Sequence, residues 1–298
     1  MIKIKNHKAF SLVEISMVIL VIGILIAGVS QGIDLYDDYR LTSARNLTKN
    51  SQVNRIPDLE MWLETTSENS LATGTSSFTD KPNPADQDSI GRWNNINPNI
   101  LPSARNHATQ NNPTALVDNQ PKYIRKGMNG LPALLFDGTN DFFSFDGNFL
   151  VGADYTIFVV EARGSDNDNV FLCGNELVAN KILILGYTLS DQIIHTHYGS
   201  DLIKVIPHFT SSISRIHSFI FSKINGKSIY TNSGTGTPNI SQKLPLISYS
   251  GSSIGNCMNL IYFNGTIAEI IIYSRALTDK ERQGVETYLS KKWGIKLG

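Results

Sequence analysis

The chain has 298 residues and balances 26 Lys and Arg against 26 Asp and Glu, which leaves no long-range field to gather phosphate and excludes nucleic acid as an expected partner. Only 17% of residues are charged, against ~25% in ordinary soluble domains, and 27 asparagines help to fill the deficit. A 41% hydrophobic content supports a core and excludes disorder, and two cysteines are too few for a disulfide scaffold or a thiolate zinc site.

Residues 1–9 carry Lys3, Lys5 and Lys8 and no acid. From Phe10 to Val29 the chain is apolar with a single charge, Glu14. At 1.5 Å per residue such a helix spans ~30 Å, the thickness of a bilayer's hydrocarbon core. The basic flank predicts a cytoplasmic N-terminus and a body carried across the inner membrane. Glu14 is out of place there, at a cost of roughly 2.5–3.5 kcal/mol at mid-membrane and less toward the end. No cation lies between Phe10 and Arg40 to pair with it. The nearest candidate is the amine of a neighbouring copy cut just before Phe10, which would stagger one helix along another.

Ala9-Phe10-Ser11-Leu12-Val13-Glu14, behind its basic leader, resembles the N-terminus of type IV pilins and type II secretion pseudopilins. The resemblance covers residues 1 to about 55, with Ala9 where the family usually has Gly. It implies that prepilin peptidase cleaves between Ala9 and Phe10 and that the Phe10 amine is methylated. It also implies that Phe10 and Glu14 guide assembly with other pilins or pseudopilins. A secretory signal peptide is the plainer alternative, with small residues at Gly28-Val29-Ser30. The intramembrane carboxylate and the twenty-residue apolar length argue against it.

Ile33, Tyr36, Arg40, Ala44 and Leu47 recur at spacings of three and four, which predicts one helix continuing to about Asn50. Ile56-Pro57 ends that segment, so a leader (1–9) and a spine helix (10–55) precede a head (57–298). In Leu59–Thr65 the alternation predicts a strand with Met61 and Leu63 on one face and Trp62 on the other. Residues 66–122 are crowded with Asn, Pro, Ser and Thr and read as long loop with at most short strands.

Beyond Leu131, about ten apolar runs separated by turn residues predict an antiparallel sandwich. Tyr155–Ala162 is the strongest of them, and Asn225-Gly226 predicts a type I′ hairpin. Thr278-Asp279-Lys280-Glu281 is a capping box opening a final helix. Val285, Leu289 and Trp293 line one face of that helix, with Tyr288 beside them. Lys291 and Lys292 suit its C-terminal dipole, and Gly294 ends it. The fold class is therefore mostly β: a long N-terminal α-helix, an antiparallel sandwich and a C-terminal helix.

The segments Gly91-Arg92-Trp93-Asn94, Asn129–Leu134, Phe136–Asp141, Tyr155–Val160 and Gly265–Leu277 resemble, in that order, a concanavalin-A-like, laminin-G-like jelly roll. The likeness runs over residues 57–298 and bears on fold more than on function.

Asp137, Asn140 and Asp141 could offer oxygen to calcium, but they are equally good turn residues, and no metal or other cofactor is expected. His195 and His197 share a strand face, and zinc would need His208 or His217 as well. A glycosidase of this fold needs paired carboxylates, usually a Glu-x-Asp-x-x-Glu strand, which is missing. Glu161 and Glu269 lie on separate strands, so the reading is not an enzyme. Cys173 and Cys257 would face an oxidising compartment, where a bridge is open to them. The expected role is that of a minor or tip pilin whose head binds a glycan or host-surface ligand in the periplasm or on an extracellular filament. The alternatives are a secretion pseudopilin contacting exported proteins and a membrane-anchored carbohydrate-active enzyme.

Overall fold

The computed structural model of the chain describes residues 11–73, 84–110, 119–167, 169–188, 191–199, 201–207 and 213–298. Helix α1 (Leu12–Asn50) runs for 39 residues. Its side chains from Leu12 to Val29 are exposed, Leu12 by 86% and Ile24 by 64%, and apolar on every face. A helix apolar all round wants an apolar surrounding, and this one is long enough to cross a membrane. The chain divides into two compact units at Ser43 and Ala44, so the last turns of α1 belong to the second unit.

Where about ten strands are predicted, nineteen are found among the described residues, because many pairings are only two residues long. The first seven are β1 (Leu59–Glu64), β2 (Leu71–Ala72), β3 (Arg92–Trp93), β4 (Ala108–Thr109), β5 (Lys122–Met128), β6 (Leu131–Asp137) and β7 (Phe143–Ser144). Next come β8 (Tyr155–Arg163), β9 (Asn169–Cys173), β10 (Ile184–Thr188), β11 (Gln192–Thr196), β12 (Asp201–Val205) and β13 (Ser214–Ser222). Then follow β14 (Gly226–Thr231), β15 (Thr237–Asn239), β16 (Ser253–Ile254), β17 (Asn256–Cys257), β18 (Ile261–Tyr262) and β19 (Asn264–Tyr273). Helix α2 (Asp279–Trp293) closes the chain.

Two antiparallel sheets face each other. One runs β15-β14-β13-β8-β19-β6-β5 with β1 added beside β19, and the other runs β12-β11-β10-β9-β16-β7-β4-β3-β2. The first sheet is covered on both faces, which is why Tyr155–Arg163 is buried at every position. Tyr155, Ile157 and Val159 enter the core between the sheets, with Met61 and Leu63 of β1. Phe158, Val160 and Trp62 point the other way, into a second core closed by Val285, Tyr288, Leu289 and Trp293 of α2 and by Ala44 of α1.

Thr278 caps α2 reciprocally with Glu281, and Gly294 ends it in the left-handed conformation at φ 64°. One expectation is corrected. The Asn225-Gly226 turn is not type I′, since Ser222 pairs with Gly226 and leaves a three-residue loop. Gly226 alone takes positive φ there, at 75°, which is the geometry of a turn closed by a bulge. Lys291 and Lys292 stand in the last turn of α2 as expected, and the Lys292 side chain is buried.

Lys292 Nζ donates to Glu64 Oε2 at 2.7 Å and to Glu269 Oε2 at 2.9 Å, all three side chains being fully buried. Trp62 Nε1, Trp293 Nε1 and Tyr288 OH also donate to Glu269, at 2.7, 2.8 and 2.8 Å. The Tyr288 hydroxyl lies 3.2 Å from Thr48 Oγ1 at the end of α1. One ionic cluster thus joins β1, β19, α2 and the last turn of α1.

Removing the cation would strand two carboxylates in the core. Lys292→Met is therefore expected to destabilise the head by about 3–5 kcal/mol, whereas Lys291→Met on the exposed side should change it by less than about 0.5. Urea titration of the full chain in lipid nanodiscs, followed by tryptophan fluorescence, reads the difference. Equal midpoints for the two variants would show that the carboxylates do not depend on Lys292.

Candidate functional site

A cleft of about 650 Å³ opens on the head beside this cluster. Its walls come from the end of α1 (Thr48, Lys49), the segment after β1 (Ser67, Glu68, Asn69), β2 and β3, and the stretch from Asn94 to His107. Each wall is held by a local hydrogen-bonding rule. Glu64 accepts from the amides of Thr66 at 2.8 Å and Ser67 at 2.6 Å, which curls the chain just after β1. Arg45 Nε donates to the Thr66 carbonyl at 2.8 Å, tying α1 to the same curl.

The opposite wall is built on asparagine. Asn95 Oδ1 accepts from the Trp62 amide at 3.0 Å, and Asn95 Nδ2 donates to the Glu60 carbonyl at 2.9 Å. Asn97 Nδ2 donates to the Leu59 carbonyl, and Asn99 Nδ2 to that of Asn54 at 2.8 Å. These carboxamides act as a second backbone, letting an irregular segment lie along β1 with its polar groups satisfied. Asn94 Nδ2 donates to the Asn69 carbonyl at 2.7 Å and its Oδ1 accepts from Arg92 Nε at 2.8 Å, so Asn94 bridges the two walls.

Arg92 is buried, Arg105 and His107 are half-buried, and Lys49 is exposed. Arg105 Nε donates to the Ile100 carbonyl at 3.0 Å, which aims the rest of its guanidinium. His107 Nδ1 accepts from the Asn95 amide at 3.1 Å. Burial, followed by the charges of Arg92 and Arg105, lowers the His107 pKa below its usual value. Glu68 is the one carboxylate among the described residues lining the cleft, and Arg45 pairs with it at 3.1 Å.

The residues singled out in the sequence lie elsewhere. Ala9 and Phe10 fall outside the described residues, as does His208. Glu14 is exposed on α1, and its Oε2 accepts from the Ser11 amide at 2.8 Å. Ser11-Leu12-Val13-Glu14 has the spacing of a capping box, a local partner that a search for cations overlooks. Cys173 and Cys257 form a disulfide, with Cα atoms 5.1 Å apart.

Asp137 Oδ1 accepts from the amides of Thr139 and Asn140, and Asp141 Oδ2 from that of Asp137. Burial, followed by the charge of Asp137, raises the Asp141 pKa to about 7. His195 and His197 do share a direction, and the Nε2 of each lies 2.7 Å from Tyr155 OH in the interior. Glu161 accepts from Tyr187 OH at 2.7 Å and lies 3.0 Å from His217 Nε2. Among the described residues no group of three or more His, Cys, Asp or Glu could hold a metal.

Sequence reasoning missed Lys49, Arg105 and His107, and placed Arg92 and Asn94 only within a fold likeness. The alternate asparagines at 95, 97 and 99 were the available signal, since spacing of two beside a strand suits a surrogate ladder.

No family model and no curated protein matches the chain. Solved structures do. A GH54 α-L-arabinofuranosidase structure soaked with a cyclic sulfate inhibitor superposes at TM-score 0.54 with 11% identity, over 84% of this chain and 65% of that one. Domain 4 of a GH43 extracellular arabinanase from Geobacillus stearothermophilus, in complex with arabinotriose, matches at 0.47 and 12%, over 70% of this chain and all of that one. Trypanosoma rangeli sialidase matches at 0.49 and 14%, over 82% of this chain, which spans 34% of the sialidase chain. The likeness to the arabinofuranosidase shows the sandwich fold. It also corrects one expectation: the missing Glu-x-Asp-x-x-Glu strand is no ground for excluding an enzyme, since the fold is shared with an arabinofuranosidase. The absence of that array does not exclude enzymatic activity.

The pH dependence of the head follows from its buried groups. Burial, followed by the charge of Lys227, lowers His195 well below 6.5 and His197 to about 3, so both stay neutral in the fold. The unfolded chain takes up their protons first, and stability falls as pH drops from about 6.5 toward 3. Burial raises the Glu64 pKa, but the charge of Lys292 and hydrogen bonds from Lys292, Ser67 and Thr66 outweigh it and hold the group at about 2, against 4.5 unperturbed. Its contribution is complete above pH 4.5 and is lost as pH falls toward 2. Asp141, raised to about 7, works the other way and favours the fold as pH falls below 7. Two histidines outweigh one carboxyl, so urea midpoints are expected to decline from pH 7 to 5 and more steeply below 4.5. A flat profile between pH 7 and 4 would contradict the neutral histidines.

Proposed function

We propose that the chain is a membrane-anchored, carbohydrate-directed protein whose sandwich presents the Arg92–Arg105 cleft to a glycan. The cleft carries this reading. Its volume suits a short oligosaccharide, and its polar groups stand on a rigid support. Asn54 and Asn69 keep side-chain carboxamides uncommitted at its rim, able to donate to and accept from sugar hydroxyls. The sandwich shared with an arabinofuranosidase supports a carbohydrate as the ligand class and leaves turnover as well as binding open to assay. Helix α1 supports the anchor by its length and its exposed apolar surface.

The full chain in nanodiscs, free of sugar-based detergent, is expected to bind members of an oligosaccharide array, and Asn69→Ala to weaken that binding several-fold, the loss of about one hydrogen bond. Bound polysaccharides are then assayed for release of reducing ends. An array without a single bound oligosaccharide overturns the proposal.

Glu14 favours a second reading, in which the anchor also assembles with copies of itself in the manner of a pilin. The mature N-terminus would be a methylated Phe10 after cleavage behind Ala9, and Glu14 would dock it to a neighbouring helix. Prepilin peptidase and companion pilins or pseudopilins are the partners this requires. Glu14→Ala is expected to abolish incorporation into filaments in cells while membrane insertion persists. Unchanged incorporation, or a mass spectrum beginning anywhere but at residue 10, would end this reading.

A further inference from the structure

The charge of the cleft is unlike that of the head around it. Residues 65–298 balance nineteen bases against nineteen acids, yet Lys49, Arg92 and Arg105 all line this one cleft. The single carboxylate there among the described residues, Glu68, is paired at 3.1 Å by Arg45, a cation outside the lining. Arg105 uses only its Nε, on the Ile100 carbonyl, and its two terminal nitrogens have no partner among the described residues. Lys49 Nζ likewise has none. Burial first, and then the charges of Arg92 and Arg105, hold His107 below its usual pKa, so the imidazole adds no charge of its own to the recess. A neutral sugar commonly rests on an exposed aromatic face, and among the described residues the cleft offers none: Trp62 is 3% exposed and directs its Nε1 to Glu269.

We propose, resting on the glycan reading above, that this cleft selects acidic glycans, seating a sugar carboxylate or sulfate on Lys49 and on the free fork of Arg105, with Arg92 behind them. Two parallel donors on a planar guanidinium match the two oxygens of such a group, and an ammonium adds a point charge that any oxyanion can meet. A neutral head with one cationic recess also explains how an acidic polymer is captured at one place rather than adsorbed over the surface.

Matched pairs test this on the full chain in nanodiscs by calorimetry: an oligogalacturonate with its methyl ester, and a sulfated galactan tetrasaccharide, which has no carboxylate, with its desulfated form. In at least one pair the acid is expected to bind about tenfold or more tighter than its neutral partner, one charged hydrogen bond's worth, and the responding pair tells carboxylate from sulfate. Raising salt from about 50 to 500 mM should erase the preference, and inorganic sulfate should compete for the same site. Lys49→Gln, an exposed change that leaves folding alone, and Arg105→Lys should each reduce acid binding about five- to tenfold and leave the neutral partner unaffected. Equal affinity within both pairs overturns the selectivity and keeps the glycan reading. If neither pair binds while neutral oligosaccharides on the array do, the acidic inference alone fails. If nothing on the array binds, the glycan reading fails with it. Acid preference untouched by both variants would place the oxyanion elsewhere and overturn the site.

Discussion

An ammonium group in the centre of an apolar core holds this head together. Lys292 lies between Glu64 and Glu269, and the two tryptophans and the tyrosine around it all donate to the Glu269 carboxylate. Buried ions gain little net stability, because desolvation consumes most of their attraction. What they supply is a position: only one placement of α2 along the sheet brings Nζ within reach of both acids. Glu64 then transmits that placement outward, since the same carboxylate shapes the Thr66–Ser67 curl that forms a wall of the cleft.

The central strands of the sheet beneath that helix have no solvent face. Their inner side meets the opposing sheet, and their outer side meets α2 and the last turns of α1. A strand buried on both sides cannot show the apolar-polar alternation of a sandwich wall, and β8 and β19 do not. Continuous apolar runs in this chain therefore mark the layer that is covered twice. Polar residues that enter it, such as Thr156 and Ser218, find fixed partners in the Arg275 carbonyl and in Glu286.

Part of the abundance of asparagine has a structural cause. Along the cleft the carboxamides of Asn95, Asn97 and Asn99 bond to main-chain groups of the neighbouring segment, as a strand would. Elsewhere Asn264 and Asn169 do the same for the loops at the end of β19. The charge that this economy leaves over is gathered locally. Three cations in one recess of a neutral body make a stronger statement about ligands than the composition of the whole chain.

The long apolar helix, its near-membrane length, the capped final helix and the alternation of Met61, Trp62 and Leu63 were legible in the residues, because each rests on spacing along one element. The sandwich class was legible too, from strand spacing and turn chemistry. Other features required the tertiary structure, because they join residues far apart in sequence. Lys292 meets Glu64 across 228 positions, and Lys49 comes to share a cleft with Arg105. The sequence by itself determined the two helices, the longer strands and an apolar length sufficient to cross a membrane. Tertiary packing decided that a lysine in the last turn of a helix is the centre of the core, and that a loop-rich stretch is the wall of the cleft. Local propensity reports what a segment is, but which charges face one another depends on how the sheets stack.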